Sequence, residues 1–252
     1  MYIDLNADMG ESYGSWRMGN DAALLNIVSS ANVACGFHAG DPDVMMKTMA
    51  LAQNNSVGIG AHPGFADLQG FGRHRLQIPI STLQNQISYQ IGAALAMATV
   101  TGTQLRHVKL HGALSNMASE DTIMARACYE AALSVAPDLI MVVLTATPQM
   151  EAVKELGCKW VGEIFADRAY NDDGTLVDRS SAGAIIHDAK IAGPRIAQMV
   201  KESAIITESG KRIKTQIDTV CVHGDTPEAI EIARSVRKAI EGSGIKLRKF
   251  KV

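Results

Sequence analysis

The stretch SSANVACGFHAGDP, residues 29–42, contains a complete strand-to-helix junction. A short apolar run at 31–35 reads as a buried strand ending in Cys35. His38 and Asp41 follow, and Pro42 then stands at the first position of a helix. Proline suits that position because its missing N–H would be unpaired there in any case, and Asp41 before it is a capping side chain. Moving outward, the same order recurs from one end of the chain to the other. Strands are expected near 2–6, 31–35, 57–61, 106–110, 139–144, 159–164 and 219–222. Helices are expected near 20–28, 42–54, 81–101, 120–136, 148–156, 187–203 and 227–241. Parallel neighbours need crossovers long enough to hold a helix, so this alternation implies a parallel sheet. Seven such units in 252 residues, without a Pro/Gly/Ser-rich linker, favour one (β/α) barrel domain over residues 1–252. The expected fold is an irregular, TIM-like, seven-stranded α/β barrel; an open doubly wound sheet is the competing arrangement.

Further helix starts repeat the capping logic. Thr147-Pro148 and Thr226-Pro227 place a hydroxyl before proline, and Ser81 with Gln84 has capping-box spacing. Leu83, Ile87, Ile91 and Leu95 then fall on one face, which is expected to pack on the barrel. Two segments break the alternation. Residues 62–80, rich in Gly, His and Arg, are too long for a simple turn and read as a functional loop. Residues 204–217 read as a β-hairpin excursion, with Glu208-Ser209-Gly210-Lys211 at its turn.

Composition excludes several classes. About 47% of residues are apolar and the net charge is −2 with both signs interspersed, so neither nucleic acid nor an anionic membrane is an expected partner. No apolar run approaches the ~20 residues that span a bilayer. The start, Met1-Tyr2-Ile3-Asp4-Leu5-Asn6, reads as a strand and not as a signal peptide. Cys35, Cys128, Cys158 and Cys221 form no C-x-x-C pair, and a reduced, cytoplasmic compartment fits them. Self-association into a homo-oligomer is left open.

The chemistry is positional. Nearly every expected strand runs apolar and then meets titratable residues at its C-terminal end: Asn6, Asp8 and Glu11; His38 and Asp41; His62 and Asp67; Lys109 and His111; Glu163, Asp167 and Arg168; His223 and Asp225. In a parallel barrel these ends converge on one rim, where catalytic groups reside. Four histidines after four different strands are hard to explain as unrelated structural residues. Asp41 is equally well a helix cap, Arg73 is read as a solvated loop base in preference to a carboxylate clamp, and Arg106 and His107 are read as preceding their strand. Lys109 inside an apolar run needs an anionic partner or a shifted pKa, and a role facing substrate oxygen or phosphate is favoured. There is no P-loop, no dinucleotide fingerprint, no H-E-x-x-H and no G-x-S-x-G.

The runs DLNADMGES (4–12), SSANVACGFHAGDP (29–42), GIGAHPGFADLQGFGR (58–73), YQIGA (89–93), RHVKLHGAL (106–114), FADRAYNDDGTLVDRS (165–180) and CVHGDTP (221–227) closely resemble the LamB/YcsF family, essentially end to end. Two departures lie in one loop: Leu110 stands where the family pattern has proline, and Ser115 where it has tyrosine. The fifth strand end, Thr145-Ala146-Thr147-Pro148, is also atypical. The resemblance implies an irregular seven-stranded barrel akin to glycoside hydrolase and deacetylase folds. It implies ATP-dependent cleavage of the lactam of 5-oxo-L-proline to L-glutamate, performed with 5-oxoprolinase subunits B and C, ATP being consumed by the assembled enzyme.

On that reading Asp8 or Glu11 is the base for water, with Glu163 competing. Lys109 and Arg168 stabilise anions, and His38, His62, His111 and His223 donate or orient protons. Asn6, Arg168, His223 and Asp225 are expected to hold substrate or phosphate. No residue set is given to a metal. The rival enzyme reading is a metal-dependent deacetylase or amidohydrolase on the same barrel, since His, His and Asp from separate strands can bind zinc. A third reading is a subunit that holds substrate without doing chemistry.

Overall fold

Strand β1 (Tyr2–Met9) runs parallel to two neighbours at once, β2 (Ser30–Ala34) and β9 (Thr219–Val222), and this double pairing closes the sheet. Between them follow β3 (Gly58–His62), β4 (Leu105–Lys109), β5 (Ile140–Leu144) and β6 (Trp160–Phe165), all parallel, giving a closed seven-stranded barrel. The structure, a computed structural model, describes residues 1–224 and 227–251. Helices alternate with the strands: α1 (Asp21–Leu24), α2 (Pro42–Asn54), α3 (Ile80–Val100), α4 (Gly112–Ala118), α5 (Thr122–Val135), α6 (Pro148–Leu156), α7 (Ala189–Glu202) and α8 (Ala229–Gly242). Strands β7 (Ala204–Ile206) and β8 (Arg212–Lys214) pair antiparallel as a hairpin outside the barrel, and β10 (Lys246–Leu247) adds to the start of β1. Among the described residues no helix is long and apolar enough to cross a membrane.

The helix caps follow the sequence in two cases and depart in one. Asp41 accepts from the Val44 N–H and Thr147 from the Gln149 N–H, each ahead of a proline at the first helical position. The Ser81–Gln84 box is not made: α3 begins one residue earlier, at Ile80 behind Pro79, so Ser81 is already inside the first turn. Helix α8 starts at Ala229 behind Glu228, later than expected, and Thr226 lies outside the described residues. The short α4 and the two-residue β10 are additions, since neither is long enough to carry a strong periodicity. The expected first helix shrinks to four residues.

Period-two alternation divides each strand between two environments. Leu5, Ala7 and Met9 of β1 join the large core under the helices. Asp4, Asn6 and Asp8, in between, face the barrel interior, where one side is polar. Asp4 accepts from Ser29 Oγ (2.7 Å), Ser30 Oγ (2.7 Å) and Thr219 Oγ1 (2.5 Å). One layer up, Asn6 donates to Thr219 Oγ1 and to Glu163 Oε1, while Asn32 donates to Asn6 Oδ1 and to Asp8 Oδ1. His107 belongs to this network. It lies within β4, not before it as the sequence suggested, and its Nε2 is 2.8 Å from Asn32 Oδ1. Gly60 makes room for that ring, since a Cβ there would stand 2.1 Å from His107 Cδ2. The opposite side of the interior is apolar: Ile140, Val142 and Val161 cluster with Phe250, whose carbonyl accepts from Arg106.

Burial raises the Asp4 carboxyl above its ordinary 3.8, against the lowering effect of its three hydroxyl donors and Arg106. The folded state therefore holds this proton more tightly than the unfolded chain, so its stabilisation is complete below the unfolded value and is lost as pH rises through the folded one. Asp4→Asn cannot ionise. The stability of the natural chain relative to Asp4→Asn is expected to fall with rising pH across that window, as read by urea unfolding at a series of pH values. A constant difference would contradict this account.

Candidate active site

The C-terminal ends of the strands surround a cavity of about 330 Å³. Its wall includes Asp8 and Glu11 from the end of β1, His62 from β3, Lys109 and His111 from β4, and Arg168 and His223 after β6 and β9. Seven residues named from sequence thus meet in one space. His38, Glu163 and Asn6 do not line it; they sit directly beneath, each touching a residue of the wall or its support. Asp225 lies outside the described residues.

Lys109 is the centre of the floor. Its ammonium donates to Asp8 Oδ1 at 2.7 Å and to Cys221 Sγ at 2.9 Å, and Glu163 Oε1 is 3.3 Å away. The Phe165 ring lies below it at 5.0 Å. Burial alone would pull this amine down, but Asp8, Cys221 and Glu163 outweigh it and hold the amine well above its ordinary range. For Asp8, burial pushes the carboxyl up, yet His62 and Lys109 hold it well below the usual carboxylate range. Glu163 goes the other way: burial raises it, and Lys109 opposes without reversing the effect. Two carboxyls on one lysine are thus driven apart, the pattern that separates acid from base in an active site. Burial also raises the Cys221 thiol well above its ordinary value, so it meets Lys109 as a neutral sulfur acceptor.

The histidines form two groups. His38 and His111 are stacked, with ring centroids 3.6 Å apart, and His62 meets both edge-on. Burial lowers both His38 and His111, so they are neutral at physiological pH. The 62–80 loop closes over them. Phe71 in this loop is a non-glycine residue with φ of 54°, and Gly72 beside it permits close approach: a Cβ there would be 2.7 Å from both His111 Cδ2 and His38 Cβ. His223 stands apart. Its Nδ1 donates to Asp167 (2.7 Å to Oδ2), its Nε2 lies 3.3 Å from Arg179, and its ring stacks on Phe165. Burial pushes the Asp167 carboxyl up, but the histidine more than offsets this.

Arginines ring the opening. Arg73, Arg168 and Arg179 reach the cavity wall. Arg168 is buried and anchored by a bond to the Val177 carbonyl; burial and the nearby Arg179 lower its guanidinium to about 10. Arg73, read from sequence as a solvated loop base, is exposed yet lines the cavity beside Phe71. Asp41 is a helix cap, not a wall residue. Sequence reasoning misses Asn32, Arg179 and the acceptor role of Cys221. An asparagine inside the apolar run ANVAC, and the alternation Thr219, Cys221, His223, are the available signals. Ser115, at the atypical loop, holds Gln149 through its carbonyl and hydroxyl. Among the described residues two sets could hold a metal ion: Glu11, His38, His62 and His111, and separately Asp8, Cys221 and His223, with ligand atoms within 4.8 Å of one another in each.

A closed parallel barrel whose C-terminal mouth gathers carboxylates, imidazoles and a buried lysine is a TIM-like barrel with an enzyme-type site. Residues 3–252 match the LamB/YcsF family, and the chain belongs to it. It is 65% identical to the 5-oxoprolinase A-subunit of Ruegeria pomeroyi, over 98% of both chains, and 51% identical to that of Nitrobacter hamburgensis, over 100% of this chain and 99% of that one. Among solved structures, the lactam utilization protein of Thermus thermophilus superposes with a TM-score of 0.92 at 42% identity, covering 99% of this chain and 100% of that one.

Removing Lys109 leaves two buried carboxyls without their cation. Lys109→Met is expected to cost about 3–5 kcal/mol in urea unfolding. Adding Glu163→Gln to it should recover part of that loss. Equal stability of Lys109→Met and the natural chain would show that the lysine is not the counter-ion of the floor.

Proposed function

We propose that this chain is one component of an ATP-dependent 5-oxoprolinase, and that its cavity opens the lactam of 5-oxo-L-proline on the way to L-glutamate. The observation that carries the reading is likeness to 5-oxoprolinase A-subunits along nearly the whole chain, one of them at 65% identity. The cavity supports it, because it combines a carboxylate held ionised, a carboxylate-backed histidine and several guanidinium groups.

An unstrained lactam resists water through amide resonance, and the freed amine recloses the ring. Phosphoryl transfer from ATP to the amide oxygen removes the resonance. Water then adds to the ring carbon, the C–N bond breaks as nitrogen takes a proton, and a second water cleaves the resulting acyl phosphate to glutamate and phosphate. In this scheme 5-oxoprolinase subunits B and C supply the phosphoryl transfer, and the barrel mouth opens the activated ring. Asp8 takes the proton from water, and His223, oriented by Asp167, hands one to nitrogen after Arg179 leaves its Nε2 for the substrate phosphate and that atom takes up a proton. Arg73, Arg168 and Arg179 bind the carboxylate and phosphate of the substrate. Glu163 and Asn32, beneath the wall, hold Lys109 and Asp8 in place, and Asn6 holds Glu163 and Asn32 in turn.

Reconstitution tests this. The chain, its two partner subunits, ATP and labelled 5-oxoproline together are expected to form glutamate and ADP in equal amounts, and omission of any one component should stop both. His223→Ala should lower turnover by roughly 10²–10⁴-fold. Full turnover by the partners without this chain, or hydrolysis of acyl amides by this chain without ATP, would overturn the reading.

A further inference from the structure

His62 and His111 each direct one ring nitrogen at a backbone carbonyl. His62 Nδ1 is 2.8 Å from the Lys109 oxygen, and His111 Nε2 is 2.8 Å from the Phe71 oxygen. A carbonyl only accepts, so both of these nitrogens carry hydrogen. The other two, His62 Nε2 and His111 Nδ1, then face each other as lone pairs across 3.0 Å. Carboxylate oxygens extend the constellation. Asp8 Oδ2 lies 3.3 Å from His62 Nε2, and Glu11 Oε1 lies 3.7 Å from His111 Nδ1 and 3.5 Å from His38 Nε2. His38 is wholly buried, and neither of its ring nitrogens has a hydrogen-bond partner.

Between His62 Nε2 and His111 Nδ1 no hydrogen is available, and an oxygen of Glu11 and a ring nitrogen of His38 adjoin the same space. A single proton between His62 and His111 would resolve one pair and leave His38 unanswered. One cation would accept both of these lone pairs together with one from His38 and one from Glu11. With metal–ligand bonds of about 2.0–2.1 Å, the ligand atoms of a tetrahedral zinc site lie about 3.3 Å apart; three of the six separations here, 3.0, 3.5 and 3.7 Å, bracket that spacing, and all six lie within 4.8 Å.

We propose that Glu11, His38, His62 and His111 bind one divalent transition-metal ion of the zinc type. Imidazole nitrogens with a carboxylate suit that class better than magnesium or calcium, which prefer all-oxygen shells. The carbonyls of Lys109 and Phe71 are the supporting acceptors that fix which imidazole nitrogen is bare. The left-handed backbone at Phe71 is what aims its carbonyl at His111. Glu11, His62 and His111 reach the cavity wall while His38 closes the site from behind, so the ion would face substrate on one side. Asp8 stands between the ion and Lys109, with one oxygen toward each. This inference rests on the geometry of this chain alone and is independent of the reaction proposed above.

The full chain, purified without chelator or polyhistidine tag, should be stripped by dialysis and titrated with Zn²⁺ by calorimetry, with Co²⁺ absorption reporting ligand geometry. The expected result is one ion per chain, a rise in Tm on Zn²⁺ addition, and a Co²⁺ band typical of four-coordinate nitrogen and oxygen ligands. His38→Ala, His62→Ala and His111→Ala should each weaken binding by more than the ~10–100-fold that follows loss of a supporting partner. His187→Ala, at an exposed position remote from the cluster, should bind as the natural chain does. Absence of any Zn²⁺ or Co²⁺ binding by the folded natural chain would overturn the proposal, even where a variant fails to fold. So would binding that His38→Ala and His62→Ala leave unchanged.

Discussion

The ion pair between Lys109 and Asp8 is the constraint on which the site depends. An ammonium taken out of water is tolerated only where anions and good acceptors surround it. Asp8, Cys221 and Glu163 provide this from three strands, and Asn6 and Asn32 fix the acids in turn. The floor of the cavity is therefore a network and not a collection of side chains. Its geometry is set by β1, β4, β6 and β9 together, and the two carboxyls part because burial prevails at Glu163 while His62 and Lys109 overcome it at Asp8.

Two half-interiors share the barrel. Hydrogen-bonded layers rise from Asp4 through Asn6 and Asn32 to Asp8, while Ile140, Val142, Val161 and Phe250 fill the side formed by β5 and β6. The polar side supports the charged residues, since each level positions the next by hydrogen bonds of good length. The apolar side excludes water and strengthens every electrostatic contact above it. Small residues serve the same arrangement: Gly60 admits the His107 ring, and Gly72 lets the covering loop touch two imidazoles.

Much of this is legible in the sequence. Seven strands, the βα order and the hairpin near 204–217 follow from apolar runs, proline at helix starts and turn residues. The rim location of Asp8, Glu11, His62, Lys109, His111 and Arg168 follows from their place after apolar runs. What stays hidden has physical reasons. Whether a residue past a strand end faces the cavity or lies beneath it depends on strand stagger, which is why sequence does not separate His38 and Glu163 from His111 and Asp8. His107 pairs with Gly60 across a register shift at Ile59/Gly60, a local irregularity of the ladder that apolar patterning does not reveal. The pairing of His62 with His111 depends on a loop carbonyl set by the unusual backbone at Phe71, for which a sequence offers no periodic signal.

Phe250 closes the lower end of the barrel, its ring against His107 and its carbonyl held by Arg106. From that end up to the cavity the interior is filled by side chains, and the arginines stand at the opposite mouth. A change that dislodged the aromatic stopper would admit water from underneath and dilute the fields acting on every charge stacked above, without touching one residue of the chamber itself.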